Sequence, residues 1–186
     1  MKFEHGSVML CIIVLVIGSS CQPDELNARK ATLNQRNLMI TQDSRTGEEA
    51  AIQSLLDNFV KSIRAKDING VMSIFSPDVV SFDLGPPLQH GGGPPFVRRW
   101  QELFNSYQGP IQYEIRDLSV AAGEDVAFSH SLNRIGGVMK NGQTTERWLR
   151  WTACYRKSNG KWRIVHEQVS VPADVRSGRA MLDLKP

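Results

Sequence analysis

Read for the alternation of apolar and polar positions, the chain divides into a helical front and a stranded back. Ile52, Leu55, Leu56, Phe59 and Ile63 fall on one helical face, because residues three and four apart share a side of the helix. Thr46-Gly47-Glu48-Glu49 ahead of them has the form of a capping box and predicts the helix start at Thr46. Ile68, Val71, Met72 and Phe75 repeat the spacing in a second, short helix that Ser76-Pro77-Asp78 ends. Val79 to Leu84 is rich in β-formers and predicts a short strand, broken by Gly85-Pro86-Pro87. His90-Gly91-Gly92-Gly93-Pro94-Pro95 is a loop whose prolines suit the first turn of a third helix. Phe96, Trp100, Leu103, Phe104 and Tyr107 form the apolar face of that helix.

The back half alternates with the period of strands. Ile111 to Val120, Val126 to Val138, Thr144 to Lys157 and Lys161 to Val171 are four strands, with Gly123-Glu124-Asp125 turning the first into the second. Asn141-Gly142 and Asn159-Gly160 join the last three as hairpins, because both central positions of a type I′ turn need positive φ. Pro172 stops the sheet, and 173–186 reads as a tail draped on the domain. This order predicts an α+β fold, with three N-terminal helices packed on a curved antiparallel sheet and a pocket between them.

Composition adds a compartment. The chain has 186 residues and a formal net charge of +3, enough for one domain with a real core at 46–172. Lys2 precedes the apolar run Val8 to Ile17, and Gly18-Ser19-Ser20 then precede Cys21. This stretch reads as a secretory signal over 1–20 of the bacterial lipoprotein type, with Gly18 standing where Leu is usual. Cys21 is then the lipidated residue and the only membrane contact, on the periplasmic side; an ordinary secretory signal and an uncleaved anchor are the alternatives. Residues 21–45 are polar and read as a tether, part of it open to helix formation. Cleavage before Cys21 removes Lys2 and Glu4, so the charge stays at +3. Only Cys154 then lies in the domain, as a small buried hydrophobe on a strand, and no internal disulfide is expected. Charges are scattered: Arg98-Arg99 and Arg156-Lys157 are solvated spots and not the stripe that nucleic acid requires.

The order helix, helix, strand, helix, four-strand meander resembles the nuclear transport factor 2-like superfamily. Within it the chain resembles the SnoaL-like and ketosteroid-isomerase-like branch. Ser76-Pro77-Asp78-Val79-Val80-Ser81-Phe82-Asp83, Trp148-Leu149-Arg150-Trp151-Thr152, Gly160 to Glu167 and Ser170-Val171-Pro172 carry the resemblance, over Thr46 to Pro172. It implies a cone-shaped fold, a carboxylate in the cone that moves a proton next to a carbonyl, and a homodimer formed through the outer sheet face. The superfamily holds isomerases, cyclases, dehydratases and non-catalytic binding modules alike.

Candidate chemistry follows strand by strand. Asp83 is in phase with Val79 and Ser81, and an apolar pocket would raise its pKa toward that of a general base; capping the following turn is the plainer role. His166 is in phase with Trp162, Ile164, Gln168 and Ser170, and His130 lies on the strand Val126 to Val138. Neighbouring strands could aim both imidazoles at one cavity as acid, base or donor. The resemblance implies a second His after Glu167; Gln168 stands there, which weakens a proton relay and a metal site alike. Arg150 is in phase with Trp148, Thr152 and Cys154, and the alternate set Leu149, Trp151, Ala153 and Tyr155 is more apolar. The resemblance puts the Arg150 set in the cone, where Arg150 could bind a ligand carboxylate or pair with a pocket acid such as Asp83 or Glu167. Phe82, Trp148 and Thr152 join it as substrate-binding walls, and Asn133 as a donor to a carbonyl oxygen. Trp100 and Trp162 suit core packing.

No metal is expected: His90, His130 and His166 lack ligand spacing. Gly91-Gly92-Gly93 lacks the Lys-Ser/Thr of a phosphate loop, and no Gly-x-Ser-x-Gly elbow occurs. The expectation is an exported domain holding a small apolar or carbonyl-bearing molecule without a cofactor. It would act as an isomerase, cyclase or hydratase, or else as a non-catalytic ligand-binding or association module.

Overall fold

The computed structural model describes residues 23–186. The expected signal and Cys21 lie outside the described residues. Two compact units divide between Ile40 and Thr41.

Helix α1 spans Pro23–Ala65, so the stretch expected to be a tether is helical from Pro23 on and Thr46 is not a cap. Its hydroxyl donates back to the carbonyl of Gln42 (3.0 Å). The physical reason is that Glu25 to Arg45 contains neither Gly nor Pro and many good helix formers. It lacks only the periodic apolar face by which a packed helix is recognised, and its Leu33, Leu38 and Met39 are exposed. The packed stretch of α1 is the expected one, with Ile52, Leu56, Phe59 and Ile63 fully buried. Glu48 pins this stretch to the sheet, accepting from Lys157 Nζ (2.5 Å) and Trp162 Nε1 (2.7 Å).

Helix α2 spans Ile68–Met72, capped by Asp67, whose carboxylate accepts from the Asn69 amide (3.0 Å). Phe75 does not close this helix but opens strand β1, Phe75–Phe82. Pro77 is accommodated in a register shift between Phe75 and Val80, where a missing N–H costs no ladder bond. A two-residue strand β2, His90–Gly91, pairs antiparallel with β1 inside the expected loop. Helix α3 follows over Pro94–Ser106.

The four expected strands are β3 Gln112–Ala122, β4 Val126–Val138, β5 Thr144–Ser158 and β6 Lys161–Ser170. They form an antiparallel meander in a six-stranded sheet of order β2-β1-β6-β5-β4-β3. The β1–β6 pair is parallel, so the curved sheet is mixed rather than antiparallel throughout. The tail carries a small hairpin, β7 Ala173–Asp174 with β8 Arg179–Ala180. Both Asn-Gly sites are hairpin turns. Asn159 (φ 51°) and Gly160 (φ 73°) have the two positive dihedrals of type I′. At the other turn only Gly142 is positive (φ 82°). There the Gly142 amide donates to the Met139 carbonyl (2.9 Å) and the Met139 amide to Gln143 (2.8 Å), a three-residue loop.

Phe59 is the centre of the core. It meets Phe75, Trp100 and Tyr113 edge-on and stacks on Trp151 at 5.5 Å. Such aromatic pairs add about 0.5–1.5 kcal/mol each beyond the area they bury.

Candidate functional site

A cavity of about 420 Å³ opens between α3 and the inward face of the sheet. Phe59, Trp100, Tyr113, Leu149 and Trp151 supply its apolar wall. Glu167, Asn133, Asp83 and Arg99 supply its principal polar groups.

Glu167 reaches the cavity through an irregularity in β6. Tyr155 pairs with Ile164, but its neighbour Cys154 pairs with His166, leaving Val165 as an extra residue. A bulge of this kind shifts the alternation by one. Trp162 and Ile164 point inward before it, and Glu167 does after it. The Glu167 carboxyl is 5% exposed. It accepts from Ser81 Oγ (2.9 Å) and from Trp151 Nε1 (2.8 Å). Burial, the largest influence, pushes its pKa from 4.5 up to about 7, and the Asp83 charge pushes the same way. The two donors and the Arg99 charge hold it from rising further. Near neutral pH the carboxyl is therefore divided between its two forms, the condition that suits proton transfer.

Beside it runs a chain of hydrogen bonds on β4 and β3. Ser131 Oγ donates to Asn133 Oδ1 (2.7 Å), and Asn133 Nδ2 donates to the Tyr113 hydroxyl (2.8 Å). Tyr113 thus accepts from the protein, and among the described residues none accepts its proton. Burial, with the Glu167 charge next, raises the phenol pKa, so the group stays neutral and able to donate.

Asp83 lines the cavity in phase with Val79 and Ser81. It is not a free base, however. It forms an ion pair with Arg99 of α3 and also accepts from the Leu84 amide (2.7 Å). Asn133 is buried in the same wall.

The other expected residues lie elsewhere. His166 does not line the cavity: its Nδ1 sits 2.9 Å from the Val80 carbonyl oxygen and its ring meets Phe82 edge-on at 4.8 Å. His130 is exposed on the outward face of β4. Arg150, Trp148 and Thr152 point outward as well, because Leu149, Trp151, Ala153 and Tyr155 are the inward set of β5. Trp148 carries Arg116 over its ring at 5.7 Å. Phe82 is 39% exposed and packs on His166 rather than on a ligand space. Cys154 is half-buried on the outward set and not a core residue. Two polar groups of the cavity fall outside the sequence-derived candidates: Tyr113 has no place among them, and Glu167 enters only as a possible partner of Arg150. Arg99, read there as solvated, faces the cavity. Among the described residues no group of three His, Cys, Asp or Glu is placed to hold a metal.

Comparison with known proteins gives a consistent picture. The family model for the SnoaL-like domain matches residues 52–174. Among solved structures, an NTF2-like protein of unknown function from Pseudomonas putida KT2440 is 32% identical, with a TM-score of 0.69 over 76% of this chain and 98% of its own. An NTF2-like superfamily protein from Salmonella enterica serovar Typhimurium is 19% identical (TM-score 0.63, 73% and 99% covered). A ketosteroid isomerase-like protein from Erwinia carotovora is 23% identical (TM-score 0.57, 66% and 95% covered). Among curated proteins, none matches.

Proposed function

Because the chain belongs to the SnoaL-like family of NTF2-like proteins, we propose that its cavity binds a small, largely apolar molecule bearing a carbonyl and moves a proton on it. The observation that carries this reading is Glu167, a buried carboxyl poised to titrate near neutrality beside a phenol with a proton to give. In this reading Glu167 removes a proton next to the carbonyl and returns it elsewhere, the course of a cofactor-independent isomerase. Tyr113 donates to the oxygen on which negative charge develops. Asp83 and Arg99 set the field at the wall instead of acting as the base.

The test is exchange in deuterium oxide. Small cyclic ketones incubated with the protein should gain deuterium next to the carbonyl, read by proton NMR. Glu167→Gln should abolish the gain while ketone affinity, read by quenching of Trp100 and Trp151, persists. Exchange undiminished in Glu167→Gln would remove it as the base. Binding without exchange in the parent would favour a second reading, a non-catalytic ligand-binding module, which the closed Asp83–Arg99 pair also favours.

The proposal includes two expectations from the sequence. One is export with a lipid on Cys21. The other is a homodimer through the outward sheet face, supported by the exposure of Val126, Phe128 and Val138 there and checked by light scattering in solution.

A further inference from the structure

A second concavity, about 620 Å³, lies on the outward face of the sheet at the β5–β6 hairpin end. Arg156, Ser158, Lys161, Arg163 and Val165 line it, and the bulged Ser76 to Asp78 stretch of β1 forms the other wall. In the sequence Arg156-Lys157 reads as one basic spot. The strand separates the two: Lys157 pairs with Glu48, and Arg156 turns outward.

Three cations with no sequence continuity then meet. The register sets Arg156 directly opposite Arg163. Lys161 stands two residues from Arg163 on the same side, about 7 Å along the strand. Directly opposed side chains have Cβ atoms about 4.5–5.5 Å apart, and like charges so placed repel. Among the described residues none of these three forms an ion pair with a carboxylate, whereas Arg99, Arg134 and Lys157 each do. The one acid in the groove, Asp78, accepts from Ser76 Oγ and also feels the charge of Arg156, which it offsets in part. Three cations against one carboxylate leave a net of two positive charges in the groove. A phosphate monoester carries about −1.5 to −2 at neutral pH, and its oxygens fit the guanidinium fork in pairs.

We infer that this groove binds a phosphate group, carried either by a small phosphomonoester or by the headgroup of an anionic lipid. The repulsion between Arg156 and Arg163 is then relieved by the oxygens seated between them. Val165 and Pro77 offer an apolar margin for the carrier. The inference does not depend on the cavity chemistry, since the two sites lie on opposite faces of the sheet.

Calorimetric titration of the full chain with inorganic phosphate tests it, alongside Arg156→Gln and Arg163→Gln. Saturable binding is expected, weakened about tenfold in each variant, the factor for loss of one charge-assisted contact, and weakened further by added salt. The thermal midpoint without phosphate should be unchanged or higher in both variants, because a like-charge contact is removed; this separates a lost site from a lost fold. Sedimentation with phosphatidic acid vesicles, whose headgroup is itself a phosphate monoester, against phosphatidylcholine alone, distinguishes the carriers. Pelleting that falls in the variants identifies a lipid headgroup. Phosphate binding without variant-sensitive pelleting identifies a free phosphomonoester. No saturable phosphate binding and no variant-sensitive pelleting, or variants that match the parent in both assays, would overturn the inference.

Discussion

Replacing Glu167 by glutamine should flatten a pH dependence that the folded protein carries. Moving a buried carboxyl from 4.5 to about 7 corresponds to about 3 kcal/mol of differential interaction between its protonation states. The folded form holds the proton more tightly than the unfolded chain, so between these values it binds more protons. Stability therefore falls as pH rises through the window from 4.5 to about 7, and the loss is complete above it. Glutamine has nearly the same shape and no proton to exchange. Its carbonyl can accept from Trp151 and its amide can donate to Ser81 Oγ, so both present partners remain engaged. Urea unfolding, followed by tryptophan fluorescence at several pH values, measures both proteins. The stability of the parent relative to Glu167→Gln should drop by about 3 kcal/mol between pH 4.5 and 7.5. The other acids titrate in both proteins and cancel. A difference that stays constant with pH, or moves in favour of the parent as pH rises, would refute the assignment of a raised pKa and with it the basis of the proposed chemistry.

Further outcomes follow from the same structure. Tyr113→Phe should slow deuterium exchange by about 10²-fold, the usual cost of one donor to a developing oxyanion, while leaving ketone affinity nearly unchanged. Arg99→Met leaves Asp83 unpaired near Glu167, so the Glu167 carbon-13 carboxyl resonance should titrate at higher pH than in the parent. Phe59→Ala removes the ring shared by four aromatic neighbours and should cost about 3–5 kcal/mol in urea unfolding. The hydrogen bonds from Lys157 and Trp162 hold the Glu48 carboxyl below its ordinary 4.5. Its stabilising effect is present above that value and lost as pH falls through the lowered one. Glu48→Gln should therefore melt earlier than the parent at pH 7, with the gap closing in acid.

The sequence shows most of the architecture but puts most of its candidate residues on the face of the sheet that looks away from the cavity. Element order, both hairpins and the apolar faces of α1 and α3 depend on local spacing, and local spacing survives folding. Which face of a strand looks inward depends on register, and register changes at bulges. On β6 the extra Val165 breaks the phase between Trp162 and Glu167, so an unbroken alternation points to His166. On β5 no bulge intervenes between Leu149 and Tyr155, and the more apolar set is the buried one. Hydrophobicity alone indicates that set, whereas the resemblance implies Arg150 inside. Asp83 lines the cavity because β1 runs regularly from Val79 onward. Its partner Arg99 comes from a distant helix, and a pairing across sixteen residues leaves no periodic trace.

Val165 has a consequence beyond the shape of its strand. Pulling the kink flat without removing a residue would turn the imidazole of His166 indoors and send the carboxyl out. Deleting Val165 would straighten the ribbon and still leave Glu167 inside. The identity of the titrating group in this hollow is thus set by one residue held out of the pairing, and a strand of the same length paired without that kink would present an imidazole in place of the acid.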